Sequence, residues 1–222
     1  MFGNKGFIFG VALAVFSVTL SQESRVSCDS DTDCFYVPVS TRRGSFPAML
    51  ILHCNGARPA TLDSFRLVGD SLGWILASCH ASRNHRNMLL NDADVVKTIG
   101  KLIRRYPVDS SRIFVFGLSG QGVQALASMF LHPDIVRGVV AVCAHRGALP
   151  FAVWETLGNH FAYLVTRTHD WNRAENEMML WRFNMEGLVT ELKTTSGEHG
   201  PGSRKELLAG CRWLAAQIKD SE

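Results

Sequence analysis

The chain has 222 residues, 46% of them hydrophobic and 19% charged, with a formal net charge of +3. These values suit one globular domain with a sizeable core. So mild a charge, with no lysine and arginine run and no basic stripe interleaved with aromatics, argues against a nucleic-acid partner.

The N-terminal stretch MFGNKGFIFGVALAVFSVTLSQES sets Lys5 ahead of an uncharged apolar run from Phe7 to Leu20 and then turns polar, the pattern of a secretory signal peptide. Residues 1–21 are the expected signal, with the cleaved bond approximate, and residues 22–222 the expected single domain, secreted or periplasmic. The run is short for a spanning helix, which needs roughly 18 or more apolar residues, so no stable membrane insertion is expected after cleavage, with an uncleaved anchor as the alternative. All six cysteines lie beyond this segment, where disulfides are permitted. In CDSDTDC, Cys28 and Cys34 flank a short polar loop and form the easiest bridge. Cys54 and Cys79 end successive apolar runs and are within reach if those strands are neighbours, whereas Cys143 and Cys211 read as buried thiols. The loop's Asp29, Asp31 and Asp33 open like a calcium loop, yet Cys34 and Ser40 stand where Gly and Glu are required, so a solvated acidic turn is expected.

From about residue 35, short β-branched and aromatic runs alternate with longer amphipathic ones, which predicts a parallel sheet covered by helices. CFYVPVS is an edge-like strand, and FPAMLILHCNG is a strand buried on both faces. LDSFRLVGDSLG predicts a helix ending at Gly73, followed by the strand WILASCHAS. In residues 91–105 the apolar positions Val95, Val96, Ile99, Leu102 and Ile103 share a helix face, with Asn91 or Asp92 as cap and Pro107 as stop. RIFVFGLS, a helix from about Gly122 to Leu131, and VRGVVAVCAHRG come next. HFAYLVTRTHD and LVTELKTTSG are two further strands separated by a helix around AENEMMLWRF, and SRKELLAGCRWLAAQIKD closes the chain as a helix.

The stretch VFGLSGQGVQ, where a strand meets a helix, reads in two ways. A dinucleotide fold would use Gly117, Gly120 and Gly122 to bind a pyrophosphate at the helix N-terminus, but it places this pattern after the first strand and follows it with an acid. Here at least three strands come first and the next ends in CAHRG, with no acid. A nucleophile turn instead requires a serine, then an acid and a histidine at later strand ends. Ser119, Asp170 and His199 meet that order, and parallel strands finish at one sheet edge where the three can converge. Glu175 lies on a following helix and Asp134 in a turn, so both fit the acid's place less well. His53, His80 and His145 fall near the site, but no histidine other than His199 follows Asp170.

The chemistry assigns roles. His199 takes the Ser119 proton as the hydroxyl attacks a carbonyl, and Asp170 orients the imidazole. An oxyanion needs backbone donors: Gly120 is one, and Asn55, Gly56 and Ala57 in the loop LHCNGARP are candidates for the second. The histidines and cysteines lack zinc spacings, and no metal or other cofactor is expected.

The residue order, the LHCNGA loop and the GLSGQG elbow resemble the α/β-hydrolase fold. GWILASCHASRN, VDSSRIFVFGLSG, HDWN and a glycine-preceded histidine before a proline are similar to secreted esterases related to polyhydroxybutyrate depolymerases and dienelactone hydrolases, over roughly residues 34–218. The resemblance implies a mostly parallel sheet with helices on both faces, and a serine esterase acting on small or polymeric esters. Only about a dozen residues lie between Gly147 and His160, where such proteins carry lids, so a minimal lid and an open cleft are expected. The elbow departs from G-x-S-x-G: Gln121 stands two after the serine. It must point outward or distort the turn, and a distorted turn leaves a non-catalytic scaffold as the alternative. A serine peptidase is a further alternative, since nothing here separates amides from esters.

Overall fold

A computed structural model describes residues 25–39 and 44–219, so the expected signal segment lies outside the described residues. The strands are β1 (Arg25–Cys28), β2 (Cys34–Val37), β3 (Phe46–Ile51), β4 (Ile75–Ser78), β5 (Val108–Leu118), β6 (Gly138–Val142), β7 (Phe161–His169) and β8 (Val189–Glu198). The helices are α1 (Pro59–Leu72), α2 (Met88–Arg105), α3 (Gly120–Leu131), α4 (Arg173–Met185) and α5 (Arg204–Lys219). All eight strands join one sheet in the order β1-β2-β4-β3-β5-β6-β7-β8. From β4 to β8 across the sheet every neighbouring pair is parallel, while β1 and β2 add an antiparallel hairpin at one edge.

Period-two alternation divides the strand side chains between two layers. In β5, Ile113 and Val115 enter one layer and Phe114 and Phe116 the other; in β6, Val139 and Ala141 oppose Val140 and Val142. The first layer is closed by Val95 of α2, Leu126 of α3 and Phe183 of α4, the second by Leu62 of α1 and Leu214 of α5. Helices therefore cover both faces, which is why the central strands read as continuous apolar runs. Every residue of α3 from Gln121 to Phe130 is buried, which accounts for its lack of a polar stripe. α1 ends where expected, Gly73 taking the left-handed conformation with φ 70° as its C-terminal cap.

Four expectations need correction. CFYVPVS is not at the edge, because β1 pairs outside it. α2 begins earlier than expected and is capped by Asn87, whose side-chain oxygen accepts the Leu89 and Leu90 amides at 2.9 and 3.3 Å. Asn91 and Asp92 are instead buried within the helix, and Asp92 accepts from Ser128 of α3 at 2.8 Å. Cys54 and Cys79 are free thiols: Cys54 Sγ donates to the Leu118 carbonyl at 3.3 Å, while Cys79 packs into the first core layer.

The acidic loop is the fourth. Cys28 and Cys34 are disulfide-bonded, as the spacing suggested, but the turn between them is solvated only at Ser30, Asp31 and Thr32. The Lys101 ammonium enters it and contacts Asp29 at 2.8 Å, Asp31 at 2.8 Å and Asp33 at 2.9 Å. Lys101, Asp29 and Asp33 are all buried or nearly so, so the cation takes the place that spacing alone offered to a metal. Hydrogen bonds and charge from Lys101 and Lys97 lower the Asp31 carboxyl from its ordinary 3.8 to about 2.

Removing Lys101 strands buried carboxylates beside one another. Lys101→Met is expected to cost on the order of 3 kcal/mol at neutral pH, read from the urea midpoint. Because the Asp31 carboxyl is depressed in the folded state, its stabilising share is present above 3.8 and is lost as the pH falls towards about 2. The gap between variant and parent should narrow over that window.

Candidate active site

Strand β3 and strand β5 lie side by side while the chain leaves them in opposite directions along the sheet, so their C-terminal ends frame a crevice where ligands of open α/β sheets bind. Ser119 sits there, between the last residue of β5 and the first of α3, with φ 55° and ψ −124°. Backbone in that region costs a residue with a side chain about 1–3 kcal/mol and persists only where its surroundings fix it. The Ser119 amide donates to the Val142 carbonyl at 2.8 Å, and its own carbonyl accepts the Gly122 and Val123 amides at 2.9 and 3.1 Å. A side chain on Gly117 would place its Cβ 1.9 Å from the Gln121 carbonyl oxygen, so the turn closes only over glycine.

A serine acting as a helix cap gives its oxygen to a backbone amide of the first turn. Ser119 makes no such bond. Its Oγ lies 2.9 Å from His199 Nε2, and His199 Nδ1 lies 2.7 Å from Asp170 Oδ1. The three come from the ends of β5, β7 and β8, which the parallel register brings to one edge. Asp170 is buried, and burial opposes its charge. The Asn172 amide at 3.0 Å, the His199 ring, the Thr166 hydroxyl at 2.8 Å and the Cys143 thiol outweigh that effect and hold the carboxyl below its usual range. Asp170 is thus kept as an anion facing the imidazole, with Nδ1 as the ring nitrogen turned towards it.

Gln121 neither points outward nor distorts the turn. Its side chain is buried under the loop that follows β4, where Oε1 accepts the Ser82 hydroxyl at 2.7 Å. The residue that departs from the usual pattern has become a strut between that loop and the elbow. Among the expected oxyanion donors, the Gly120 amide has no acceptor among the described residues. The others are engaged within the fold: Asn55 N–H donates to His53 Nδ1 at 3.2 Å, Gly56 N–H to the His53 carbonyl at 2.9 Å, and Ala57 N–H to the Cys79 carbonyl at 3.2 Å. In this state of the loop those three amides are not presented to a ligand.

Two further neighbours belong to the site, and of these only the contact made by Cys143 had no signal in the sequence. Trp171, directly after the acid, stacks on the His199 ring with centroids 3.7 Å apart and an interplanar angle of 13°, while 74% of the residue remains exposed. Its place beside Asp170 was the available signal. Cys143, at the end of β6 with φ 49°, is the buried thiol the sequence suggested, but it also packs against the site: its ligand atom and those of Asp170 and His199 lie within 4.8 Å of one another. Those atoms could in principle hold a metal ion. Burial, reinforced by the Asp170 carboxylate, pushes the Cys143 thiol up to about 11, and Asp170 and His199 already bond each other, so the trio fits a neutral thiol beside a hydrogen-bonded pair.

No protein-family model and no curated protein sequence matches the chain. Solved structures do match. The fluorophosphonate-binding serine hydrolase FphF of Staphylococcus aureus aligns over 86% of this chain and 96% of its own, with a TM-score of 0.68 at 10% identity. A ferulic acid esterase aligns over 87% and 97%, with a TM-score of 0.66 at 13% identity. The Bacillus cereus carboxylesterase aligns over 83% and 93%, with a TM-score of 0.60 at 16% identity. The chain has the α/β-hydrolase fold.

Within this fold the connection from β6 to β7 is short, as expected. It forms two 3-10 turns, Arg146–Phe151 and Trp154–Thr156, and Trp154 packs against Phe130 and Phe183 with ring centroids 5.7 and 5.9 Å away. The segment is anchored to the core instead of standing over Ser119. Two cavities border the elbow. One of about 410 Å³ has Ser119, Gly120, His145 and Trp171 in its wall. The other, about 590 Å³ and largely apolar, lies between α1 and α5 against Phe65, Leu118, Pro201 and Leu207.

The elbow's steric demand gives a graded expectation. Gly117→Ala meets backbone and should destabilise the fold by about 3 kcal/mol or more. At Gly120 an added Cβ would meet the Asn84 side-chain oxygen at 2.6 Å, and that side chain can turn away, so Gly120→Ala should cost clearly less. Thermal unfolding of the two variants measures the difference.

Proposed function

We propose that this chain is a serine hydrolase that cleaves carboxylic esters through an acyl-enzyme. The observation that carries the reading is the unbroken line from the Ser119 hydroxyl through both nitrogens of His199 to Asp170, at 2.9 and 2.7 Å. Ser119 Oγ attacks the carbonyl carbon while His199 Nε2 takes its proton, then returns it to the departing alcohol. Asp170 holds the imidazole in the tautomer that leaves Nε2 free and stabilises the imidazolium. The unpaired Gly120 amide faces the developing oxyanion, a contact whose loss typically costs roughly 3 kcal/mol of transition-state stabilisation. Water then repeats the sequence on the acyl-enzyme.

The intact elbow speaks against a scaffold that has lost its chemistry. The short, core-anchored connection after β6 leaves the cleft open, which suits bulky or polymeric esters such as those of the polyhydroxybutyrate depolymerases the sequence resembles. The names of the structural neighbours, esterases and serine hydrolases, agree with an ester substrate. We read residues 22–222 as one secreted or periplasmic domain that works without a cofactor.

Ser119→Ala should lower ester hydrolysis more than about a thousandfold and abolish labelling by a fluorophosphonate probe, with the circular-dichroism spectrum unchanged. Asp170→Asn should lower kcat by roughly ten-thousandfold, since the amide favours the wrong imidazole tautomer. Retained turnover in the serine variant overturns the reading.

A further inference from the structure

The cleft that opens on Ser119 has a one-sided electrostatic lining. Arg83, His85 and Arg86 from the loop after β4, together with His145 after β6, contribute to its wall, and no aspartate or glutamate does. The carboxylates nearest to it are already committed. Asp94 pairs with Arg86 at 2.7 Å, Glu175 accepts the Arg146 amide at 2.9 Å, Asp170 faces His199, and Asp92 lies 2.7 Å from His132. Arg83 is exposed and contributes to the cleft wall, its guanidinium has no partner among the described residues, and neither has the Gly120 amide at the start of α3.

The loop that carries Arg83 is held in place. The buried Asn91 side chain accepts the Arg83 amide at 3.2 Å and donates to the Arg83 carbonyl at 2.8 Å, and its oxygen also accepts Arg86 Nη1 at 2.9 Å. The Asn84 amide donates to the Cys54 carbonyl at 2.8 Å, which ties the same loop to the end of β3. His85 adopts φ 59°, a conformation non-glycine residues keep only where the surroundings impose it. A fixed backbone therefore presents an unpaired guanidinium and an unpaired amide to one cavity. A planar guanidinium recognises carboxylate oxygens through paired hydrogen bonds, and the charge assistance roughly doubles the strength of each.

We propose that the preferred substrates are esters bearing a carboxylate on the half that occupies this cleft, with Arg83 as the residue that selects them. This rests on the ester-hydrolase reading and narrows it.

Two matched ester pairs test it with the purified chain. In one pair the charge sits on the acyl half: 4-nitrophenyl hexanoate against mono-4-nitrophenyl adipate. In the other it sits on the leaving half: phenyl acetate against 4-acetoxybenzoate. In one of the pairs the anionic ester should show kcat/KM about tenfold higher, carried by a lower KM and shrinking as salt rises. Arg83→Gln should erase that preference and Arg83→Lys should retain part of it. If the neutral esters turn over and neither anionic partner is favoured, or if the preference survives in Arg83→Gln, the inference is overturned while the ester-hydrolase reading stands. If wild-type protein hydrolyses none of the four esters and does not label with a fluorophosphonate, both fall together.

Discussion

The site depends on one close approach of backbone to backbone. The carbonyl of Gln121 occupies the space a side chain at Gly117 would need, and that contact lets the chain reverse from β5 into α3 within one residue. The reversal forces Ser119 into a conformation that side-chain-bearing residues avoid, and the forced conformation turns its hydroxyl away from the helix and out of the sheet edge. The stability of the turn is drawn from elsewhere: from the Val142 carbonyl, from a helix buried on all sides, and from strands packed on both faces. The strained Ser119 turn is thus held between a central strand and a fully buried helix, in keeping with functional groups placed on regular elements.

The central half of the fold was legible because its residues carry a single instruction. β-branched and aromatic runs such as RIFVFGLS suit only strands buried on both faces, and the order of Ser119, Asp170 and His199 follows from strands that all finish at one edge. What stayed hidden depends on pairings between distant residues. β1 is four residues long and acquires its identity from the register with β2. The Asp29, Asp31 and Asp33 loop looked solvated because its partner, Lys101, is some seventy positions away on α2. The start of α2 was misplaced because Asn91 and Asp92 are good caps by type, and only the tertiary structure shows them holding the Arg83 loop and α3 instead.

Gln121 carries the same lesson at one position. By analogy with other elbows a long side chain there is an obstruction. In this chain the loop after β4 leaves room beneath it and supplies Ser82 as a partner, so bulk at the elbow becomes a tie between the Ser119 turn and the loop bearing Arg83. The donors expected from the loop after β3 show the reverse. Asn55, Gly56 and Ala57 occupy a fitting place in the sequence, but a backbone amide is available only if no nearer carbonyl or ring nitrogen claims it, and here each is claimed.

The stacking of Trp171 on His199 has an optical consequence. Imidazolium quenches indole emission far more than neutral imidazole does, and a ring overlap at 3.7 Å is as direct a coupling as two side chains can have. Because the outer face of this indole is open to solvent, the same fluorophore also senses whatever settles against it. With the other four tryptophans replaced, Trp171 would serve as a built-in gauge of a ligand's arrival beside Ser119, without a label.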